Sequence, residues 1–368
     1  MTTPPQLQSL TAVPGLHIGH ATLGDTGCTV IVAPQGAWAA VDQRGGGPGT
    51  RETDLLRGEN TVDQVHAICL SGGSAFGLAA ADGVMAALAE HGIGFPVTGD
   101  PATGPIVPIV PAAVIFDLFV GDPNHRPTAA DGYAATVDAL AAVPAAPPAP
   151  TSSVGAGTAA TAGKIAGGFG QAATRVPAAP APAAETAFAA PASATYTVAT
   201  GIVVNPMGSV IDDDGYLWGT DMQCDRAAYD ALPPIKPGLN TTIGVVATDA
   251  PLTHGQLHRL AMVAHDGLAR AIRPVHSPLD GDTIFALSTT APAPPVVPAP
   301  SAMGTPSPGA QTPSTAGAPG GGVDTATMLA LCAASAEVTA AAIRAAVTGA
   351  TSANGVTAFT DLQKGSLR

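Results

Sequence analysis

The sequence PPIKPGLNTTIGVVATDAPL occupies residues Pro233–Leu252 and carries the clearest fold signal in the chain. Its N-terminal part is a linker-like stretch rich in proline. A run of β-branched residues follows at once and predicts a strand over Thr241–Thr248. This strand begins with two hydroxyl-bearing residues, Thr241 and Thr242, whose side chains must face opposite sides of a sheet.

Outward from this strand, short β-branched runs alternate with Ala- and Leu-rich segments, which is typical of α/β rather than all-helical proteins. The helix after Thr253 has the clearest start, because Thr253 and Gln256 form a capping box. Further strands are predicted at Cys28–Ala33, His66–Ser71, Ala112–Val120, Val198–Asn205, Ser209–Asp212 and Thr283–Thr289. Helices are predicted at Ala75–His91, Thr128–Ala142, Thr253–Ile272 and Ala326–Val347.

The composition favours a globular protein with inserts. The 368 residues include 44 Gly and 36 Pro, and 46% are hydrophobic but only 11% charged. This much apolar surface excludes a wholly disordered chain, and the length excludes a small disulfide-stapled protein. Tracts rich in Pro and Ala at 143–150, 176–194 and 291–322 lack hydrophobic periodicity, and we interpret them as linkers or surface inserts. We expect the rest of 1–368 to form a single domain.

The formal net charge is −13, which disfavours binding to a nucleic acid or to an anionic membrane. The N-terminal residues MTTPP lack the basic and apolar regions of a secretory signal, so we expect a cytoplasmic protein. The four cysteines form no Cys-x-x-Cys pair, which predicts buried thiols rather than a zinc site or a redox dithiol.

The sequence GGSAFG at Gly72–Gly77 follows a predicted strand and opens a predicted helix. A nucleophile elbow would require Gly where Phe76 stands, so that interpretation is rejected. Backbone N–H groups of Gly72 and Gly73 could shape a pocket or hold an anion, although tight strand-to-helix packing is the simpler interpretation. Three other patterns lack residues that their chemistry needs: Gly155–Ala160 for a dinucleotide, Asp212–Gly215 for calcium, and His254 with His258 for another metal. We therefore predict no cofactor and no metal.

The step from linker to strand at Asn240–Thr241 is where a self-cleaving protein would carry its nucleophile. The segment resembles the cleavage site of the family that contains L-aminopeptidase/D-esterase, β-peptidyl aminopeptidases and nylon-oligomer hydrolases. In that family the chain cuts itself before a Ser or Thr, which then acts as an N-terminal nucleophile. Five further segments match in the same order along the chain: Val41–Gly46, Ser71–Leu78, Ala162–Lys164, Val203–Pro206 and Leu279–Thr283.

The resemblance implies a four-layer αββα sandwich of the aminopeptidase/ornithine acetyltransferase-like type. It also implies cleavage between Asn240 and Thr241 into chains 1–240 and 241–368, which would stay associated in a homo-oligomer of cleaved units. The implied reaction is hydrolysis of a small-molecule amide or peptide substrate through an acyl-enzyme on Thr241.

The catalytic residues carried over from the family are Thr241, Lys164, Asn205, Asp280 and Asp282. An α-amine freed on Thr241 would have a pKa of about 8 and could accept the hydroxyl proton. Asn205 could donate to the oxyanion, and Lys164 could tune the amine or stabilise negative charge. The two aspartates would hold the protonated amine. Taken alone, Asn205 could simply end a strand, and Asp280 and Asp282 could flank a hairpin turn.

The sequence departs from the aminopeptidase branch of the family in one respect. That branch holds the substrate amine with an acid two residues before a Tyr, where this chain has Val114 and Phe116. The substrate pocket is expected to include Phe116, Gly72 and Gly73, without an amine anchor. A general amide hydrolase is therefore expected rather than a strict exo-acting aminopeptidase. The alternatives are acyl transfer to an amine, as in ornithine acetyltransferases, and a non-catalytic scaffold that retains the fold.

Overall fold

Strands and helices alternate along the chain. The computed structural model describes residues 9–100, 102–142, 151–178, 195–235, 240–292 and 321–363. The strands are β1 (His17–Thr22), β2 (Gly27–Gln43), β3 (Thr50–Arg51), β4 (Gln64–Ser71), β5 (Phe95–Pro96), β6 (Ile106–Val107), β7 (Ala112–Val114), β8 (Thr161–Ala162), β9 (Ile165–Ala166), β10 (Gly168–Pro177), β11 (Thr195–Val204), β12 (Ile243–Thr248) and β13 (Thr283–Ser288). The α-helices are α1 (Ala80–Glu90), α2 (Ala129–Ala141), α3 (Arg226–Ala231), α4 (His254–Ala271) and α5 (Thr325–Gly349).

The largest sheet has nine strands within these described ranges, in the order β10-β11-β12-β13-β2-β4-β7-β3, with β1 paired to β2. Strands β12 and β13 run parallel, as do β4 and β7. The 17-residue strand β2 is irregular between Val32 and Ala37. Its first half pairs with β1 and β4, whereas residues 38–43 pair with β13. Strand β2 therefore carries the chain from one half of the sheet to the other.

Alternation of apolar residues divides the core into three clusters. The middle cluster combines Ile243 and Val245 of β12 with Ile68 of β4. On the opposite face of β12, Val246 packs with residues of α4 and α5, whereas Cys69 of β4 packs with residues of α1 and α2. The two halves of the sheet therefore face each other, with a helical layer outside each. This arrangement is the predicted αββα sandwich.

Helix α4 begins where the sequence predicts. The Gln256 N–H donates to the Thr253 hydroxyl, and the Thr253 N–H donates to Oε1 of Gln256, which completes the capping box. His254 donates to the carbonyl of Leu56, whereas His258 lies 3.8 Å from Asp42. The two histidines thus have separate partners, and α4 is fixed over the second half of β2.

Three predicted elements differ from the structure. The strand predicted at Ala112–Val120 ends at Val114, because the chain then turns back towards the end of β4. The strand predicted at Ser209–Asp212 is reduced to isolated bridges, in which Ser209 faces Arg273. The helix predicted at Ala75–His91 begins as a 3-10 helix over Ser74–Ala79 and becomes α-helical only at α1.

The sequence pattern misses β1, β10, α3 and the two-residue strands β3, β5, β6, β8 and β9, and it underestimates the length of β2. Strand β10 contains Gly168 and Gly170, and glycine is unusual inside a strand; the reason for both is the close contact with α5. A Cβ on Gly170 would lie 2.0 Å from the carbonyl oxygen of Ala342 in that helix. The second predicted insert, 176–194, therefore begins too early, since Val176 belongs to β10. Its remainder from 179 onwards lies outside the described residues, as do 143–150 and 293–320.

Helix α5 is long and apolar enough to span a membrane by length and composition, with a mean hydropathy of 1.6 in its most apolar 18-residue window. However, 61% of that window is buried inside the protein. The helix packs on β10, β11 and α4. We therefore interpret α5 as a core helix.

Candidate active site

The register of three neighbouring strands places Asn205, Thr241 and Gly281 side by side. Val203 of β11 pairs with Ile243 of β12, which in turn pairs with Thr283 of β13. Two residues beyond these pairs, the Thr241 N–H donates to the Asn205 carbonyl over 2.8 Å. On its other side, the Gly281 N–H donates to the carbonyl of Asn240, which bridges to Asp280. The predicted cleavage site thus lies where the three strands end.

The peptide bond between Asn240 and Thr241 is held on both sides. The Thr241 hydroxyl donates to the Asn240 carbonyl oxygen over 2.5 Å, and the Gly281 N–H donates to the same oxygen over 3.0 Å. The Asn240 side chain donates to the carbonyl of Pro206 over 3.2 Å. Thr241 is only 3% exposed. The Thr241 hydroxyl and the Gly281 N–H therefore both donate to the carbonyl that precedes Thr241.

Asn205 is fully buried and joins three segments. Its Oδ1 accepts the Thr161 N–H over 2.9 Å, and this fixes the orientation of the side-chain amide. Its Nδ2 donates to the carbonyl of Phe116 over 3.1 Å. An amide NH₂ carries two N–H groups, and the second N–H on Nδ2 has no partner among the described residues. The NH₂ group of Asn205 thus faces the segment that contains Phe116.

Asp280 and Asp282 are both buried, with 1% exposure each, and both accept backbone N–H groups. Asp280 accepts from Met207 over 3.0 Å and from Ser277 over 2.9 Å. Asp282 accepts the Thr242 N–H over 2.7 Å on Oδ1 and the His276 Nδ1–H over 2.7 Å on Oδ2. In the continuous chain, the two carboxylates fix the backbone around Thr241. The sequence prediction that they hold a free amine stays a prediction.

Lys164 lies at the tip of the β8–β9 hairpin, and its described contacts do not include Thr241. Its Nζ donates to the carbonyl of Asp230 over 2.8 Å and lies 5.7 Å from the centre of the Tyr229 ring. Lys164 also lines a cavity of about 220 Å³ with Phe119, 232–235 and 354–357. Neither Asn240 nor Thr241 is among the described residues that line this cavity.

Gly72 and Gly73 are packed against Asp117. The Asp117 carboxylate accepts the Gly73 N–H over 2.6 Å and the Thr26 hydroxyl over 2.7 Å, and burial raises the pKa of its carboxyl group. A Cβ on Gly72 would lie 2.1 Å from that carboxylate, and Gly73 has a φ of +80°. This geometry favours the packing interpretation of the two glycines. Their role in a substrate pocket, with Phe116 beside them, stays a prediction.

The sequence assigns no role to two features of the site, although the first of them lies partly in the matching segment Val41–Gly46. The first is the loop after β2, in which Arg44 N–H donates to the Asp282 carbonyl and Gly47 N–H donates to the Asp280 carbonyl. A Cβ on Gly45 would lie 2.2 Å from the Asp280 carbonyl oxygen, which explains glycine in this loop. The second is His276, whose contact with Asp282 depends on a turn that no motif signals.

Comparisons with known proteins identify the family and support the fold. The model of peptidase family S58 matches residues 8–360. An uncharacterized aminopeptidase of Mycobacterium leprae (strain TN) is 45% identical, over 77% of this chain and 79% of that protein. A 6-aminohexanoate-oligomer endohydrolase of Paenarthrobacter ureafaciens is 31% identical, over 75% of this chain and 73% of that protein. Among solved structures, the L-aminopeptidase D-Ala-esterase/amidase of Ochrobactrum anthropi matches 96% of this chain and 90% of the length of that protein's chain. The TM-score is 0.67 at 18% sequence identity, which supports the fold.

Proposed function

The chain belongs to peptidase family S58 and is a hydrolase of peptide or amide bonds, and we propose that it activates itself by cutting between Asn240 and Thr241. The contact that carries this proposal is the 2.5 Å hydrogen bond from the Thr241 hydroxyl to the Asn240 carbonyl oxygen. After cleavage, Thr241 acts as the N-terminal nucleophile.

Self-cleavage proceeds through an ester. Thr241 Oγ1 attacks the Asn240 carbonyl carbon, and the Gly281 N–H stabilises the negative charge that develops on the carbonyl oxygen. The C–N bond then breaks, and the hydroxyl proton passes to the leaving nitrogen, which becomes the Thr241 amine. Water hydrolyses the ester and leaves a carboxylate on Asn240. Cleavage therefore also activates the enzyme, because breakage of the C–N bond frees the amine and hydrolysis of the ester then restores the hydroxyl.

In turnover, the free amine of Thr241 removes the proton of its own hydroxyl, as an adjacent amine does in other N-terminal nucleophiles. The backbone carbonyl of Asn205, which accepts the Thr241 N–H over 2.8 Å, can hold that amine after cleavage. The second N–H on Asn205 Nδ2 is the candidate donor to the substrate oxyanion. A donor of this kind contributes about 3 kcal/mol in other acyl-transfer enzymes.

The substrate is proposed to be an amide that needs no free α-amine. Val114 is buried and packs beneath Gly49, so no carboxylate stands where the aminopeptidase branch places one. A comparison of amides with free and acetylated amino ends tests this, and a strict need for the free amine would contradict it. An added amine acceptor separates hydrolysis from acyl transfer, which would yield a new amide.

The first test of the proposal is the intact mass of the denatured protein. We expect two fragments of about 23 and 13 kDa from the 35.9 kDa chain, the smaller beginning at Thr241. Thr241→Ala should remain a single chain. Thr242→Val is the matched control and should be cut like the wild type, because the Thr242 hydroxyl has no hydrogen-bond partner among the described residues. A folded, uncut wild type would refute the mechanism and favour the scaffold alternative.

A further inference from the structure

The Thr242 N–H is the first backbone donor after the nucleophile, and Asp282 binds it. Asp282 Oδ1 accepts this N–H over 2.7 Å, while Oδ2 faces His276. A carboxylate that is 1% exposed needs a donor on each oxygen to be held in one orientation. The hydrogen bonds that His276 donates to Oδ2 therefore fix the orientation of the Asp282 carboxylate.

Both donors of His276 converge on one oxygen of Asp282. The ring Nδ1–H donates to Oδ2 over 2.7 Å, and the backbone N–H reaches the same atom at 3.3 Å. His276 adopts a φ of +56°, a left-handed conformation that is uncommon for residues other than Gly, although Asn, Asp and His adopt it more often than the rest. A strained backbone that aims two donors at one buried carboxylate favours a positioning role over an incidental contact.

The opposite side of the His276 ring packs on His265 of α4. The two rings meet edge to face with their centres 4.9 Å apart. His265 is 1% exposed, and its Nε2 donates to the carbonyl of Asp42 over 3.1 Å. Burial lowers the pKa of His265 to about 4, so its ring is neutral at neutral pH. The buried, neutral ring of His265 thus packs against the His276 ring and keeps it beside Asp282.

We propose that His276 is a positioning residue for the Thr241 nucleophile, acting through Asp282 and the Thr242 N–H. The inference rests on the proposed function of Thr241. Before cleavage, Thr241 is also held through its peptide bond to Asn240, which has its own hydrogen bonds to Leu279 and Pro206. After cleavage that link is gone, and a new chain terminus is prone to fray. His276 should therefore matter more for turnover than for self-cleavage.

The test compares two substitutions that both suit the left-handed backbone. His276→Asn places an amide donor near the position of Nδ1, and Asn tolerates a positive φ. His276→Gly relieves the backbone but provides no side-chain donor. If the only role of His276 were to adopt the left-handed backbone conformation of the turn, the His276→Gly variant would react as fast as the wild type. If the donor matters, Asn should rescue what Gly loses.

The measurements are the fraction of cut chain, by intact mass, and the rate at which p-nitrophenol is released from p-nitrophenyl acetate by the cut protein. We expect both variants to be cut. His276→Gly should react about tenfold more slowly than the wild type, and His276→Asn within about threefold of it, as expected for loss and replacement of a donor to a charged group. Thermal unfolding of each variant controls for the fold.

A double-mutant cycle with Asp282→Ala shows whether His276 acts through Asp282. In the Asp282→Ala background, His276→Gly should have little further effect on the rate. A reactive wild type with an equally reactive His276→Gly variant, or additive effects in the cycle, would overturn the inference alone. An uncut or unreactive wild type would instead refute the proposed function, and the inference with it.

Discussion

His265 is a buried histidine whose surroundings hold it neutral. Its side chain is enclosed by α4 and the second half of β2, and its Nε2 donates to the Asp42 carbonyl. Burial lowers its pKa to about 4, although the nearby Asp42 carboxylate acts in the opposite direction. Its Nδ1 has no hydrogen-bond partner in the part of the chain that the structure describes. The folded protein therefore excludes a proton that the unfolded chain would accept.

Stability should consequently fall as the pH drops from about 6.5 to about 4, because the unfolded state binds more protons in this window. We expect His265 to contribute about 2 kcal/mol to this loss at pH 5. Urea unfolding at pH 7.5 and pH 5 should show this loss in the wild type and a smaller loss in His265→Phe, which keeps the ring and removes the titration. His20, whose pKa burial also lowers to about 4, affects both proteins equally. Equal pH dependence in the two proteins would contradict this prediction.

At the scale of elements, the site is made by strand ends rather than by any one motif. Strands β11, β12 and β13 finish or begin at the same edge, and the loop after β2 closes over Asp280 and Asp282. Gly281 lies beside Thr241 at this edge. A Cβ on Gly281 would come within 2.6 Å of the Gly47 carbonyl oxygen and 2.8 Å of Thr241 Oγ1. Only glycine leaves this space free.

Gly281→Ala should therefore disturb Thr241, the proposed nucleophile. Either Gly47 or Thr241 must move, at a cost of about 1–3 kcal/mol for an overpacked site. We expect self-cleavage to slow by about tenfold or more, measured as the uncut fraction over time after synthesis. The matched control is Gly255→Ala in α4, where a Cβ would meet nothing within 4 Å. Normal cleavage of Gly281→Ala would contradict this prediction, because it would show that the space around Gly281 can accommodate a methyl group without disturbing Thr241.

Elements with local signals could be predicted from the sequence, and those that depend on distant contacts could not. The capping box of α4 and the strand at Ile243 follow from neighbouring residues. The early end of β7 depends on Asp117, which draws the chain back to Gly73 from a distant segment. Likewise, the resemblance identified Lys164 as a candidate, but its contact with the Asp230 carbonyl depends on how α3 packs.

Across the whole molecule, the two predicted fragments share one sheet. Strands β12 and β13 belong to 241–368, yet they lie between β11 and β2, which both belong to 1–240. Helices α4 and α5 of the second fragment cover strands of the first. Separation of the fragments would break backbone ladders on both sides of β12 and β13 and expose two apolar clusters. Cleavage at Asn240 should therefore leave the fold intact.

The cut protein should consequently behave as one particle with one unfolding transition. Size-exclusion chromatography with light scattering should give a mass that is a multiple of 35.9 kDa. That multiple is the number of cleaved units in the proposed homo-oligomer. Both fragments should co-elute in buffer and separate only in denaturant. Thr241→Ala, which keeps the chain continuous, is the control and should unfold at a higher denaturant concentration, because an unbroken chain has less entropy to gain on unfolding. Fragments that separate under native conditions would mean that the sheet does not hold the two chains together.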